Sequence, residues 1–210
     1  MKLYSYWRSS SSWRVRIALG LKGQSYDYVP VNLLDDEQQG ETHVARNPMG
    51  RVPVLELDDG TMLRESLAII GYLDQIHPEP ALWPADPVDR ARVAEMTQVI
   101  NSGIQPLQNL AVLVHLASQG VDRKAFGAKY NQAGLTALEA LAQAQADRGR
   151  FLLGDTATVA DVCLPPQLYS ARRFDVDVSA FPRLLEIEAR CAEIPAFAEA
   201  LPDRQPDAVR

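Results

Sequence analysis

The stretch Trp7–Gly23, WRSSSSWRVRIALGLKG, decides how this chain is read. Before it, Lys2–Tyr6 is a short apolar and aromatic run that reads as a buried strand. After it, Val15, Ile17, Ala18, Leu19 and Leu21 describe a helix whose apolar residues wrap past one stripe, so it is expected to be covered on two sides. Between the two stand Arg8 and four serines, Ser9 to Ser12. Serine is a favoured N-cap because its oxygen accepts from the unpaired N–H groups of the first helical turn. One cap needs one serine. The other hydroxyls stand where the helix dipole and the first-turn N–H groups favour an anionic sulfur, carboxylate or phosphate. A polar turn with a redundant cap fits the same residues, and only the rest of the chain separates the two.

Outward from this stretch, Tyr26–Leu33 is a second β-rich run, and Pro30 inside it marks an edge position because proline cannot donate to a ladder. Asp35–Arg46 is polar and uneven, a loop with a short helix. Asn47–Leu57, NPMGRVPVLEL, opens on turn signals and continues as a strand beginning at Val52-Pro53. Asp58-Asp59-Gly60 is a tight turn into the short strand Thr61–Leu63, and Glu65-Ser66 opens an apolar helix that ends at His77-Pro78. The order β-α-β-α-β-β-α is that of a thioredoxin-like unit. In that fold the loop after the first strand often carries Cys-x-x-Cys. Here it carries serines, so any thiol used at this site must arrive with a ligand.

Pro78, Pro80, Pro84 and Pro87 then read as a stiff linker. Beyond it the pattern is helical: Asp89–Leu116 with a kink at Pro106, then the alanine-rich Asp122–Arg148. Thr158-Val159-Ala160-Asp161 is a capping-box variant, with Ala157 and Val162 placed as a hydrophobic staple, and opens a helix reaching about Arg173. Shorter helices follow from Pro182 and Pro195. The expected fold class is α/β plus all-α: a thioredoxin-like domain over residues 1–80 and an all-helical domain over 87–210.

Composition narrows the function classes. A net charge of −6 argues against a nucleic-acid surface, and no apolar run approaches a membrane span or a signal peptide. Cys163 and Cys191 stand in no metal or redox spacing, which is expected of reduced thiols in a cytoplasmic protein. His43, His77 and His115 are scattered, so no metal site is expected.

With these residues assembled, the chain resembles a cytosolic glutathione transferase, and within that superfamily the zeta class, whose members include maleylacetoacetate isomerases. The resemblance rests on YSYWRSSSSWRVRIALGLKG, NPMGRVPVL, ESLAIIGYLD, GIQPLQNL, GDTATVADVCLPPQ, ARRFDVD and the closing RQPDA, in that order along nearly the whole chain. It implies glutathione as cofactor. Ser9 matches the catalytic serine of the class's Ser-Ser-Cys motif and Ser10 its second serine, while Ser11 stands where the class has cysteine. That departure removes an enzyme thiol but not the cofactor's sulfur. Lowering a thiol from ~8.5 by two units needs about 2.7 kcal/mol, the size of one hydrogen bond to an anion plus a helix end.

By the same resemblance Val52, before a cis Pro53, clamps the cysteinyl part through its backbone. Glu65 and Ser66 grip the γ-glutamyl end, Gln39 reaches the glycyl end, and Asn109 stands near the site. Glu65 and Ser66 would serve equally as a helix cap, and Asn109 as a structural residue of a kinked helix. Arg8 and Arg173 match arginines around the pocket, Arg172 being the less favoured of its pair. The implied reaction is cis–trans isomerisation of the dianion maleylacetoacetate to fumarylacetoacetate by reversible thiolate addition, with weak transferase activity. Close relatives acting on maleylpyruvate can carry basic residues where this chain has Leu110 and Ala111. A glutathione-transferase-like binding protein without catalysis is the other alternative, which the presence of Ser9, Val52-Pro53 and Glu65-Ser66 disfavours. A homodimer is expected by resemblance alone.

Overall fold

The computed structural model describes residues 1–209, arranged as two compact units: Met1–Ala81 together with the tail from Ile194, and Leu82–Glu193. The first unit holds strands β1 (Lys2–Ser5), β2 (Asp27–Pro30), β3 (Val54–Glu56) and β4 (Met62–Arg64), with helices α1 (Ser10–Leu21), α2 (Glu41–Arg46) and α3 (Ser66–Ile76). The sheet order is β2-β1-β3-β4, with β1 and β2 parallel and the other pairs antiparallel. Pro30 ends the edge strand β2, where its missing N–H costs no ladder bond. The third strand begins at Val54 rather than at Val52-Pro53, because Pro53 has no N–H to pair; the Val52–Pro53 peptide is cis.

Register puts four connections at one end of this sheet. Tyr4 pairs with Val54 and Val54 with Arg64, so the end of β1, the start of β3 and the end of β4 coincide. Ser5 pairs with Pro30, which brings the end of β2 to the same side. The serine turn, the cis-proline loop, the start of α3 and the segment leading to Gln39 all leave from there.

Helix α1 has eight consecutive buried residues, Ser12–Leu19, and packs against α3 and against α9 (Pro195–Glu199) of the tail. The sequence reading placed residues 87–210 in one helical domain; the tail belongs to the first unit instead. The reason is physical. The girdle of α1 needs a second cover, and the buried Arg16 finds the carbonyl of Ala200 there, with Nε at 3.2 Å and Nη2 at 3.0 Å. Burial pulls Arg16 down to about 10, which leaves it charged at neutral pH and in need of these acceptors.

The second unit holds α4 (Pro87–Gln98), α5 (Leu110–Ser118), α6 (Arg123–Gln143), α7 (Val159–Arg173) and α8 (Pro182–Ala192). The single kinked helix expected over 89–116 is broken rather than kinked: a π turn covers Val99–Ile104 and a 3₁₀ turn Gln105–Gln108. Gly103 and Pro106 weaken the ladder there, and Asn109 starts a new helix by accepting the N–H of Ala111 at 3.2 Å. The capping box is present: Asp161 accepts from the N–H and hydroxyl of Thr158, both at 2.8 Å. A buried amide network joins the turn to the bundle. Asn131 donates to Gln108 at 2.8 Å, and Gln167 donates to Asn131 at 2.6 Å.

Candidate active site

Ser9 is the N-cap of α1, with an extended backbone and a side-chain oxygen that accepts the N–H of Ser12 at 3.2 Å. Accepting that bond occupies a lone pair, so the hydroxyl proton of Ser9 is left to donate outward. Ser10 and Ser11 form the first helical positions, and Ser9, Ser10 and Ser11 are all half-buried, whereas Ser12 is buried. Arg8 is half-buried over the ring of Trp7, its guanidinium carbon 5.2 Å from the ring centre.

The cis-proline loop is held by side chains that sequence reading passed over. His43 Nε2 and Asn47 Nδ2 both donate to the carbonyl of Arg51, each at 2.9 Å. That carbonyl belongs to the peptide entering Val52, so the orientation of Val52 is fixed from behind. Gly50 completes the turn with φ of 57°, and a Cβ there would stand 2.8 Å from the amide of Gln39. Gln39 itself donates to the carbonyl of Gly50 at 3.2 Å, which puts it beside this loop with its side chain exposed. Val52 packs in one buried cluster with Tyr4, Tyr6, Trp7, Val31 and Val54, and so lies next to the residues leading into the serine turn.

Glu65 has φ of 63° and ψ of 117°, a region that an L side chain adopts at a cost of about 1–3 kcal/mol. It makes no capping bond of its own. The strained backbone is therefore not accompanied by a cap, and the carboxylate is not spent on the start of its own helix. Ser66 is buried at the first position of α3, where the helix end favours a carboxylate. The donor set of this unit is therefore a hydroxyl at one helix N-terminus, a carboxylate, and a second hydroxyl at another helix N-terminus. It suits a ligand carrying an anionic sulfur, an ammonium and a carboxylate, and glutathione has all three.

Asn109 and Arg173 belong to the second unit. Asn109 caps α5, and Arg173 ends α7 with its side chain exposed. Its neighbour Arg172 is engaged by Glu188 through a two-pronged pair at 2.7 and 2.5 Å, which raises the guanidinium above its ordinary value. Among the described residues no group of three or more His, Cys, Asp or Glu is arranged to hold a metal, and no helix is long and apolar enough to cross a membrane.

A β-α-β-α-β-β-α unit with serine at the thiol position and a cis-proline loop beside it defines a thioredoxin-like protein that receives a thiol. Residues 3–81 match the family model described as glutathione S-transferase, N-terminal domain. The chain is 46% identical over 206 residues to the maleylacetoacetate isomerase of Rhizobium meliloti, covering 96% of each protein. It is similar to the holo structure of a maleylpyruvate isomerase, a bacterial zeta-class glutathione S-transferase, with a TM-score of 0.96, 41% identity and full coverage of both chains. It is also similar to the maleylacetoacetate isomerase of Anaeromyxobacter dehalogenans 2CP-1 with glutathione bound in the active site (TM-score 0.90, 48% identity, 99% of this chain and 97% of that one). Another structure of that enzyme holds dicarboxyethyl glutathione and citrate in the active site. The chain belongs to the zeta-class glutathione transferase family, which includes the maleylacetoacetate isomerases.

Proposed function

We propose that this chain is a glutathione-dependent isomerase converting maleylacetoacetate to fumarylacetoacetate, with weak glutathione transferase activity on other electrophiles. The observation that carries the reading is the state of Ser9, an N-cap whose oxygen already accepts from Ser12 and whose proton is therefore available to an anion at the helix start. When bound, glutathione supplies a nucleophilic sulfur for reversible addition across the cis double bond. Ser9 donates to that sulfur, and Ser10 and Ser11 line the same turn, where the dipole of α1 adds positive potential. A hydrogen bond to a charged group is worth about 1.5–3 kcal/mol and a helix end about 0.3–1, enough together to bring a thiol from ~8.5 to near neutrality.

The other residues bind and orient. The backbone of Val52, ahead of Pro53, clamps the cysteinyl unit, Glu65 takes the ammonium, Ser66 with the start of α3 takes the neighbouring carboxylate, and Gln39 reaches the glycyl end. Asn109 is assigned to cofactor binding on the family resemblance alone. Arg8 and Arg173 hold the carboxylates of the substrate and counter the negative charge that develops in the reaction. The partner is a small anionic molecule, and the protein works in the cytoplasm as a homodimer.

Maleylpyruvate is the second candidate substrate, favoured by the likeness to the maleylpyruvate isomerase structure at TM-score 0.96. Leu110 and Ala111, apolar at the start of α5, favour the longer maleylacetoacetate. Absorbance-monitored turnover of both substrates, with and without glutathione, decides. Glutathione-dependent turnover of maleylacetoacetate, at least tenfold faster than of maleylpyruvate, is expected. Ser9→Ala should lower it by about 10²-fold, the scale of one lost transition-state donor. Full activity in Ser9→Ala would move the sulfur-activating role to a neighbouring serine, and absence of glutathione binding would end the enzyme reading.

A further inference from the structure

The backbone two residues ahead of Ser9 is held from both sides by groups far from it in sequence. The Asp207 carboxylate accepts the N–H of Trp7 at 3.0 Å through Oδ2 and the hydroxyl of Tyr28 at 2.6 Å through Oδ1. The carbonyl of the same Trp7 accepts from Arg16 Nη2 at 2.9 Å, and the carbonyl of Tyr6 from Arg16 Nη1 at 3.5 Å. Both peptide groups flanking Trp7 are thereby fixed, one by a half-buried carboxylate and the other by a buried guanidinium. Ala208, next to Asp207, packs on the cluster that contains Tyr6, Trp7 and Val52. Two adjacent tail residues therefore meet both the approach to the serine turn and the residue ahead of the cis-proline. Covering the sheet requires only apolar bulk. An acid aimed at one particular N–H does something bulk cannot.

We propose that Asp207 is a positioning residue for the sulfur site: it holds the N–H of Trp7 while Arg16 holds its C=O, and together they set where the Ser9 hydroxyl and the first turn of α1 stand. The inference rests on the proposed function only in taking the sulfur to be that of glutathione. Its sign is distinctive. A carboxylate acting through its charge alone would disfavour a nearby thiolate, so removing it would lower the sulfur's pKa. A carboxylate acting by positioning keeps the Ser9 donor in place, so removing it raises that pKa.

The test is the ultraviolet absorption of bound glutathione thiolate, titrated against pH in the unaltered protein and in Asp207→Ala and Asp207→Asn. Asp207→Ala is expected to raise the apparent pKa of the bound sulfur by about one unit, leaving about tenfold less thiolate on the acid side of the titration. Turnover at pH 7 should fall by a similar factor and recover as the pH rises. Asp207→Asn retains an acceptor oxygen for the Trp7 N–H and should change the thiolate fraction less than threefold. An unchanged or lowered sulfur pKa in Asp207→Ala overturns the proposal, as does a variant that only melts earlier with its titration unmoved. Should Asp207→Ala fail to fold, Asp207→Glu displaces the carboxylate along the same direction and is read by the same criterion. If the unaltered protein ionises bound glutathione but isomerises neither substrate, the isomerase reading fails and the positioning role is still decided by the titration.

Discussion

Asp161 is fully buried at the start of α7, yet accepts three hydrogen bonds, from Leu152 N–H at 2.9 Å and from the N–H and hydroxyl of Thr158 at 2.8 Å. Burial outweighs these donors and pushes its carboxyl up to about 6. An unfolded chain takes up the same proton only near ~3.9. Between these values the folded state binds more protons, so this group's contribution to stability rises as the pH falls through 6 and declines as the pH rises. Asp161→Asn removes the titration while keeping the shape. The stability of the unaltered protein relative to Asp161→Asn should therefore improve by about 2 kcal/mol between pH 7.5 and 4.5, as read by urea denaturation. A flat difference would mean that the three donors hold the carboxylate ionised throughout. At this scale legibility follows locality. The capping roles of Ser9 and Asp161 could be read from three or four neighbouring residues. Arg16 and Asp207 could not, because an arginine between valine and isoleucine reads as exposed, and an acid near a chain's end reads as solvated.

Among the elements, the contact of α1 with α9 is close enough for a single substitution to probe. A Cβ built on Gly20 would stand 3.0 Å from the Cβ of Ala196 and 3.2 Å from its Cα, so the two helices approach closely because Gly20 has no side chain. Gly20→Val would force α9 outward and, with it, the Ala200 carbonyl that serves Arg16. Overpacking of this kind costs about 1–3 kcal/mol, against which valine gains no more than a few tenths in helix propensity over glycine. The expected outcome is a lower urea midpoint with an unchanged slope, since the surface exposed on unfolding stays nearly the same. The strands and the helices α1, α3, α6, α7 and α8 were legible from hydrophobic period and caps. The break at Val99–Gln108 was not, because the apolar pattern continues across it. What stops the helix is the summed weakness of Gly103 and Pro106 together with the side-chain cap of Asn109, and the buried network from Gln108 to Asn131 and Gln167 joins residues too far apart in sequence to be paired by reading.

For the whole molecule, the tail is part of the first unit's core rather than the end of the helical one. A chain ending at Glu193 would remove α9 from α1 and leave the buried Arg16 without the two bonds it makes to Ala200. Hydrogen bonds to a charged group contribute about 1.5–3 kcal/mol each, and an exposed α1 face adds the lost apolar burial, so the deficit approaches the 5–15 kcal/mol by which domains are ordinarily stable. A chain ending at Arg204 keeps α9 and Ala200 and loses Asp207 and Ala208. The two truncations should therefore part ways. Trp7 and Trp13, both buried in the first unit, report its integrity by fluorescence. The chain ending at Glu193 should show the red-shifted emission of exposed indoles before any denaturant is added and should not bind glutathione. The chain ending at Arg204 should keep blue-shifted emission and a cooperative transition, and should bind glutathione with less of it ionised at a given pH. Equal folding of both would reduce the tail to a passive cover. Loss of both would extend the structural requirement to the last turn, where Asp207 and Ala208 meet Trp7, Tyr28 and the cluster around Val52.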